Sequence, residues 1–225
     1  MNDNDLKGAT PSFEGVIFDM DGVLVDSEPV HLESTIRMMR ESFGIDFTAE
    51  DNQEFLGSTD RHMYETLKRR HNLAPSRDEL IERRKAIYVE MLQSEGIPWR
   101  NGILDLVTTL RQQRIRVGMA SSGLRWVIEM ILKTGGVRDL LEVVVTGDDV
   151  ITPKPAPDIY AEAIRQLGLP ASSCAAIEDT DVGVSAANAA GAFTIAFPAP
   201  STEHMDFSHA NRRVTSVDDI RQILL

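Results

Sequence analysis

Short apolar runs alternate with amphipathic stretches along most of the chain. The apolar runs, which we predict to be strands, cover residues 15–19, 115–121, 142–147, 174–179 and 193–197. The amphipathic stretches, which we predict to be helices, cover residues 103–113, 125–133, 157–167 and 182–190. Nearly continuous apolar strands separated by helices are typical of a parallel sheet covered on both faces. The pattern therefore predicts an α/β fold.

The segment between the first two predicted strands has a different pattern, with apolar residues at helical spacing. The first stripe consists of Leu32, Ile36, Met39 and Phe43. Gly44 predicts the end of that helix, because glycine commonly ends helices. Ser76 and Glu79 have the spacing of a capping box and predict the start of a second long helix. This segment is therefore predicted to be entirely helical.

The helical segment interrupts the α/β pattern directly after the first strand. We predict a catalytic α/β domain formed by residues 13–27 and 98–225, with a helical domain at residues 28–97 inserted into it. The flanking sequences VDSEP and EGIPWRNG contain proline or glycine, which suits them to be linkers. A helical insertion that is hinged beside a sheet edge is expected to act as a lid.

Polar and charged side chains follow the ends of four predicted strands. These residues are Asp19 and Asp21 after the first strand, Ser121 and Ser122 after the second, Lys154 beyond the third, and Glu178 and Asp179 after the fourth. Ligands of open parallel sheets bind beyond the carboxyl ends of the strands. We therefore expect these side chains to meet at one edge of the sheet and to form a site.

This set of groups is suited to phosphoryl transfer through a carboxylate. Asp19, ionised at neutral pH, would attack phosphorus in line and form an aspartyl phosphate. Asp21 would protonate the leaving oxygen and later take a proton from water. Lys154 and the Ser121 hydroxyl would hold the phosphate oxygens. Asp19 and Asp179, together with a backbone carbonyl, are hard oxygen ligands that suit Mg²⁺.

The composition indicates which partners and which cellular compartment are compatible with the chain. The net charge of the 225-residue chain is −12, which argues against a nucleic-acid or anionic-membrane surface. The single cysteine, Cys174, excludes an internal disulfide and fits a reducing compartment. No apolar run approaches the ~20 residues that span a bilayer. We expect a cytoplasmic monomer that binds a small phosphorylated metabolite.

Four sequence motifs resemble those of the haloacid dehalogenase superfamily, in the branch with a helical cap after the first strand. FDMDGVLVDSE resembles its DxDG first motif, and Ser121 within MASSG resembles the second. Lys154 within PKPAPD resembles the third motif, and IEDTDVGVSAANAAG resembles the acidic fourth. The resemblance covers nearly the whole chain. It implies a Rossmann-like parallel-sheet core with an inserted all-α cap domain.

The resemblance also implies a role for each matching residue. It implies that Asp19 is the nucleophile and Asp21 the acid and base. It further implies that Ser121, Ser122 and Lys154 hold the phosphate, and that Mg²⁺ lies between Asp19, the main-chain carbonyl of Asp21 and Asp179, with Glu178 beside them.

In the cap, FLGSTDRHM resembles a segment whose glycine and arginine face the substrate. By this resemblance Gly57 and Arg61 are predicted cap contacts, with Glu28 and His31 on the hinge side. Arg61 could pair with a second anionic group. For His31 two interpretations stay open, a substrate contact and a residue on the helix surface.

Several activities are compatible with this superfamily. Asp21 argues against a dehalogenase, because a leaving halide needs no proton. In place of the Ser-Lys-Asn run that mutases tend to have after the second motif, this chain has Gly123-Leu124-Arg125. We therefore predict a Mg²⁺-dependent phosphatase of a sugar phosphate or a similar monoester. The alternatives are a phosphomutase of the β-phosphoglucomutase type and a non-catalytic protein that binds a phosphorylated ligand.

Overall fold

A single parallel sheet forms the centre of the molecule. The computed structural model describes residues 12–55 and 60–225. Within these residues the strands are β1 Gly15–Phe18, β2 Arg116–Ser121, β3 Val143–Thr146, β4 Cys174–Glu178, β5 Phe193–Ala196 and β6 Arg212–Arg213. Their order across the sheet is β3-β2-β1-β4-β5-β6, and every neighbouring pair is parallel. The predicted α/β class is confirmed.

Nine α-helices accompany the sheet in the described part of the chain. They are α1 Glu28–Phe43, α2 Ala49–Asn52, α3 Asp60–Arg70, α4 Arg77–Glu95, α5 Ile103–Gln112, α6 Arg125–Thr134, α7 Asp158–Leu167, α8 Asp181–Ala189 and α9 Val217–Leu224. Among the residues described, no helix combines the length and the apolar character that crossing a membrane requires.

The two faces of the sheet are covered by different helices. On β1, Val16 and Phe18 point to one face and Ile17 to the other, as the alternation of a strand requires. The first face packs against α5, α6 and α9. The second face packs against α7 and α8. Because both faces are buried, the strands are apolar nearly throughout, and this is why they could be identified from the sequence.

Helices α1, α3 and α4 pack around an apolar cluster of their own. The buried members of this cluster are Met38, Met39, Phe47, Phe55, Met63, Tyr64, Leu67, Leu73 and Leu80. Gly44 ends α1 with a φ of 65°, and the Ser76 hydroxyl accepts a hydrogen bond from the Glu79 N–H at the start of α4. The separate cluster supports our proposal that residues 28–97 form a cap domain.

Two linkers join the helical insertion to the sheet, and they lie side by side. The Asp26 N–H donates to the Pro98 carbonyl at 2.8 Å, and the Arg100 N–H donates to the Leu24 carbonyl at 2.8 Å. Val25 and Trp99 form an antiparallel bridge between these two hydrogen bonds. The outgoing and the returning chain are therefore paired beside the carboxyl end of β1.

Candidate active site

A cavity of about 490 Å³ lies at the carboxyl ends of the strands. Nine residues that the sequence predicted for the site line it: Asp19, Asp21, Glu28, His31, Ser121, Ser122, Lys154, Glu178 and Asp179. Seven of them come together because β3, β2, β1 and β4 are adjacent and parallel, so the segments after their carboxyl ends meet at one edge. Glu28 and His31 come from α1 in the helical insertion. The tertiary structure thus assembles one site from distant parts of the chain.

Lys154 lies at the centre of the charged groups. Its Nζ is 2.5 Å from Asp19 Oδ1 and 2.5 Å from Glu178 Oε1. Burial disfavours the charged ammonium, but the two carboxylates outweigh this effect and raise the pKa of Lys154. Lys154 therefore stays positively charged beside Asp19, where a cation can stabilise the oxygens of a transferring phosphoryl group.

Glu178 holds Lys154 in place and is itself fixed by hydroxyl donors. The Tyr160 hydroxyl donates to Glu178 Oε1 at 2.6 Å, and Thr180 Oγ1 donates to Oε2 at 3.2 Å. Tyr160 was not among the residues predicted from the sequence, although its position on the first turn of the helix after Lys154 was the available signal. Burial, followed by the charge of Glu178, raises the pKa of Tyr160, so this hydroxyl keeps its proton.

Three buried carboxylates at this edge fit a divalent cation. One oxygen from each of Asp19, Glu178 and Asp179 lies within 4.8 Å of the others. Burial and the neighbouring acids raise the pKa of Asp179 to about 8, and burial raises the pKa of Asp19 despite the opposing effect of Lys154. A bound cation would reduce the repulsion between such closely spaced negative charges, and hard carboxylate oxygens suit Mg²⁺. The residues present therefore fit the metal implied by the resemblance.

Glu178 differs from the other two carboxylates because its oxygens already accept hydrogen bonds from Lys154, Tyr160 and Thr180. We propose that Asp19 and Asp179 supply the carboxylate ligands of the metal, with the Asp21 carbonyl as the expected main-chain ligand. Glu178 would then act mainly by orienting Lys154.

A tight turn follows β1 and places Asp21 in the cavity. At Gly22 the φ is +74°, and a Cβ there would lie 2.1 Å from Asp179 Oδ2. Only glycine allows this combination of a left-handed conformation and close approach. The Gly22 N–H donates to the Val25 carbonyl at 2.8 Å and closes the turn. The turn therefore holds Asp21 and Asp179 on adjoining walls of the site.

Ser121 ends β2 as a buried residue, whereas Ser122 lies on the exposed rim. The Ser121 Oγ accepts a hydrogen bond from the Gly123 N–H at 3.1 Å. Because this bond uses Oγ as an acceptor, the hydroxyl proton is available for donation to a ligand oxygen. This arrangement supports Ser121 as a phosphate-holding group.

His31 connects the cavity to a cluster of cap residues. Its Nδ1 is 2.6 Å from Arg84 Nη1, and its ring stacks on Tyr88 with the ring centroids 4.3 Å apart. Burial, and then the charge of Arg84, lower the pKa of His31, while Asp21 and Asp60 oppose this change. Because arginine only donates, Nδ1 is the acceptor and the proton lies on Nε2.

Of the two interpretations of His31, its place in the cavity lining favours the substrate contact. Its partner Arg84 is buried and also forms an ion pair with Asp60 at the start of α3. Arg84 and Tyr88 did not emerge from the sequence analysis. They lie with Leu80 on the buried face of α4, outside the described lining of the cavity. Their contacts with His31 join segments far apart in the chain, which local spacing does not show.

The remaining cap predictions have different outcomes. Glu28 lines the cavity, and its contact with the substrate stays a prediction. Gly57 lies outside the described residues. Arg61 is exposed on α3, where Arg77 and, more weakly, Arg61 hold the pKa of Asp78 below its usual range. In the structure, Arg61 does not belong to the described lining of the cavity.

The comparisons with known proteins agree with these features. Residues 16–197 match the haloacid dehalogenase-like hydrolase family. The chain is 32% identical over 216 residues to the protein CbbY of Rhodobacter capsulatus, with 89% of this chain and 92% of that protein covered. It is 30% identical over 207 residues to hexitol phosphatase B of Escherichia coli O157:H7, with 91% and 92% covered.

A solved structure gives a similar result for the fold. The crystal structure of a CbbY variant from Rhodobacter sphaeroides in complex with xylulose-1,5-bisphosphate matches with a TM-score of 0.74 and 28% identity. The match covers 90% of this chain and 93% of that chain. The similarity therefore includes both the sheet and the helical insertion.

Proposed function

Because the chain belongs to the haloacid dehalogenase-like hydrolases, we propose that it is a phosphatase of a small phosphorylated carbohydrate. The observation on which this proposal rests most is the contact of Lys154 with Asp19, 2.5 Å apart, in a cavity that also contains Asp21 and Asp179. A nucleophile, a cation, an acid and a candidate metal site are thus present together. Relatives named as phosphatases support the same activity.

In the proposed reaction Asp19 attacks phosphorus and forms an aspartyl phosphate as the ester P–O bond breaks. Asp21 gives its proton to the leaving oxygen and becomes a carboxylate. That carboxylate then takes a proton from a water molecule, whose oxygen attacks phosphorus, releases phosphate and regenerates Asp19. Lys154 and Ser121 hold the phosphoryl oxygens throughout. When bound, Mg²⁺ would balance the charge of Asp19 and Asp179 and keep Asp19 ionised.

The charges of the cavity support a monophosphate substrate. Seven carboxylate residues line it: Asp19, Asp21, Asp26, Glu28, Glu178, Asp179 and Asp181. Among the lining residues that the structure describes, Lys154 is the only lysine or arginine. A second phosphate would face the acids at the mouth of the cavity, whereas sugar hydroxyls can donate hydrogen bonds to them. We therefore propose a neutral sugar or sugar-alcohol part.

A phosphomutase has less support from the structure. Arg125, in the run that follows the second motif, forms an ion pair with Asp149, and its N–H donates to Asp148 Oδ2 at 2.8 Å. These bonds hold Arg125 against the loop after β3. Arg125 therefore has a structural role in this loop, which gives no support for a mutase function. The non-catalytic alternative has less support too, because the described cavity contains every group that the reaction requires.

Measuring phosphate release from a substrate panel tests the proposal. The panel pairs hexose and hexitol monophosphates with the bisphosphates of the same sugars, each with Mg²⁺ and with EDTA. We expect Mg²⁺-dependent release, with kcat/KM about tenfold or more higher for each monophosphate than for its bisphosphate. Label from ³²P should appear in inorganic phosphate. Label retained on another position of the sugar would indicate a mutase, and tight binding without turnover would indicate a binding protein.

A further inference from the structure

Arg100 connects the returning linker to the turn that contains Asp21. It lies between α4 and α5 and does not belong to the cavity lining that the structure describes. Its Nη1 donates to the Gly22 carbonyl at 2.8 Å. Its guanidinium carbon lies 4.0 Å from the centroid of the Phe197 ring, and Phe197 is buried just after β5. The side chain thus joins the turn to a fixed part of the sheet domain.

The carbonyl that Arg100 holds belongs to the residue next to Asp21. The turn makes other internal hydrogen bonds, from the Leu24 and Val25 N–H groups to the Met20 carbonyl, both at 2.9 Å. The Gly22 carbonyl takes no part in these two bonds and accepts instead from Arg100 of the returning linker. Because the turn backbone lies against Asp179, rotation of the Gly22 peptide would move Asp21 and press on Asp179.

The geometry of arginine suits this position better than that of lysine. A planar guanidinium can donate an N–H from its edge while its face stacks on an aromatic ring. Lysine could donate a hydrogen bond to the Gly22 carbonyl, but it has no planar group that could stack on the Phe197 ring. The contact also acts together with the backbone pairing of the linkers, in which the Arg100 N–H donates to Leu24. Main chain and side chain of one residue therefore fix two points of the same turn.

We propose that Arg100 is a positioning residue that holds the Gly22 turn, so that the Asp21 carboxyl reaches the leaving oxygen of the ester. The inference rests on the proposed phosphatase function, and it assigns Arg100 no contact with the substrate. Loss of Arg100 should therefore impair proton donation more than binding.

Kinetics of Arg100→Met and Arg100→Lys on two esters test this role. One ester is p-nitrophenyl phosphate, whose leaving group needs little protonation, and the other is the best sugar monophosphate found for the wild type. For Arg100→Met we expect kcat on the sugar ester to fall about ten- to a hundredfold, as for a displaced general acid. On the aryl ester kcat should fall less than about threefold, and KM should change less than about twofold for both. Arg100→Lys should recover part of the loss.

The matched control is Arg212→Met, since Arg212 also lies over a phenylalanine ring, that of Phe193, but on β6 at the far edge of the sheet. This variant should keep wild-type kinetics on both esters. Equal losses of kcat on the two esters, or no loss for Arg100→Met, would overturn the inference while leaving the phosphatase function intact. A wild type that hydrolyses neither ester would instead reject the proposed function, and the inference with it.

Discussion

At the scale of single residues, the site combines groups whose properties depend on burial and on their neighbours. Asp19 is buried, and its Oδ1 is taken by Lys154. This leaves Oδ2 as the candidate atom for attack on phosphorus. Burial raises the pKa of Asp19, the ammonium of Lys154 lowers it, and the nearby acids raise it further. The proposed nucleophile therefore depends on nearby positive charge to stay ionised.

Asp19→Asn should abolish turnover while leaving the fold intact. The amide has nearly the same shape as the carboxylate but is not a nucleophile. Because the reaction requires a covalent nucleophile, the rate of phosphate release should fall by at least about a thousandfold. Phosphate release and circular dichroism measure the two effects. Asp105→Asn, on the exposed start of α5, is the matched control and should retain full activity. A tenth of the wild-type rate in Asp19→Asn would contradict the role.

Asp21→Asn should slow esters with poor leaving groups more than those with good ones. Asparagine cannot supply the proton that an alkoxide leaving group needs, so the loss on sugar esters should reach about a hundred- to ten-thousandfold. A plot of log kcat against leaving-group pKa should become steeper than for the wild type. An unchanged slope with a uniformly lower rate would argue against proton donation by Asp21.

At the scale of elements, the site depends on close packing between a strand end and a helix start. The Thr180 side chain caps α8 by accepting from the Gly183 N–H at 3.1 Å, and it also donates to Glu178 at the end of β4. A Cβ on Gly183 would lie 2.0 Å from the Glu178 carboxyl carbon. The first turn of α8 therefore forms the wall against which Glu178 is fixed.

Gly183→Ala should lower both stability and activity. The added methyl must displace Glu178, and inserting a methyl into a packed site typically costs about 1–3 kcal/mol. Since Glu178 orients Lys154, kcat should fall as well. Urea unfolding and phosphate release measure the two effects.

Gly118→Ala on β2 is the control for Gly183→Ala, because a Cβ there meets its neighbours only at 3.5 Å or more. It should stay close to wild type in both measurements. If Gly183→Ala has wild-type stability and activity, Glu178 can move without affecting either, and the role assigned to it would be wrong.

At the scale of the whole molecule, the acidic site has a cost in stability. The chain has a net charge of −12, and its cavity brings several carboxylates together. Burial and the neighbouring acids raise the pKa of Asp179 from 3.8 to about 8. Between these values the unfolded chain releases a proton that the folded, metal-free chain keeps. The free energy of unfolding should therefore fall as pH rises from about 4 to about 8.

Asp179→Asn should reduce this dependence of stability on pH. We compare the free energy of unfolding of the variant and the wild type in EDTA. As pH rises from about 4 to about 8, the variant should become more stable than the wild type, by on the order of a few kcal/mol at about pH 8. Thermal or urea unfolding at several pH values measures the difference. Mg²⁺ should stabilise the wild type and have a smaller effect on the variant. Asp105→Asn is the control and should follow the wild type; parallel curves for Asp179→Asn and wild type would contradict the prediction.

Some features could not be predicted from the sequence. Strand β6 has two exposed arginines, and its pairing with β5 depends on where the chain returns to the sheet edge. The role of Arg84 also depends on which neighbours the packed helices present. Arg100 gave no signal, because a charged residue in a linker is usually solvated. Each of these roles arises from a long-range contact that local periodicity does not encode.

The sequence by itself determined the first five strands and the helices between them, the helical insertion, and the residues that follow each of these strands. It could do so because burial imposes a period on local sequence, and because parallel strands place their carboxyl ends at one edge. Only the tertiary structure decided which charges meet. Lys154 lies between Asp19 and Glu178, and Arg61 lies on the exposed face of α3, because these distances depend on packing between segments far apart in the chain.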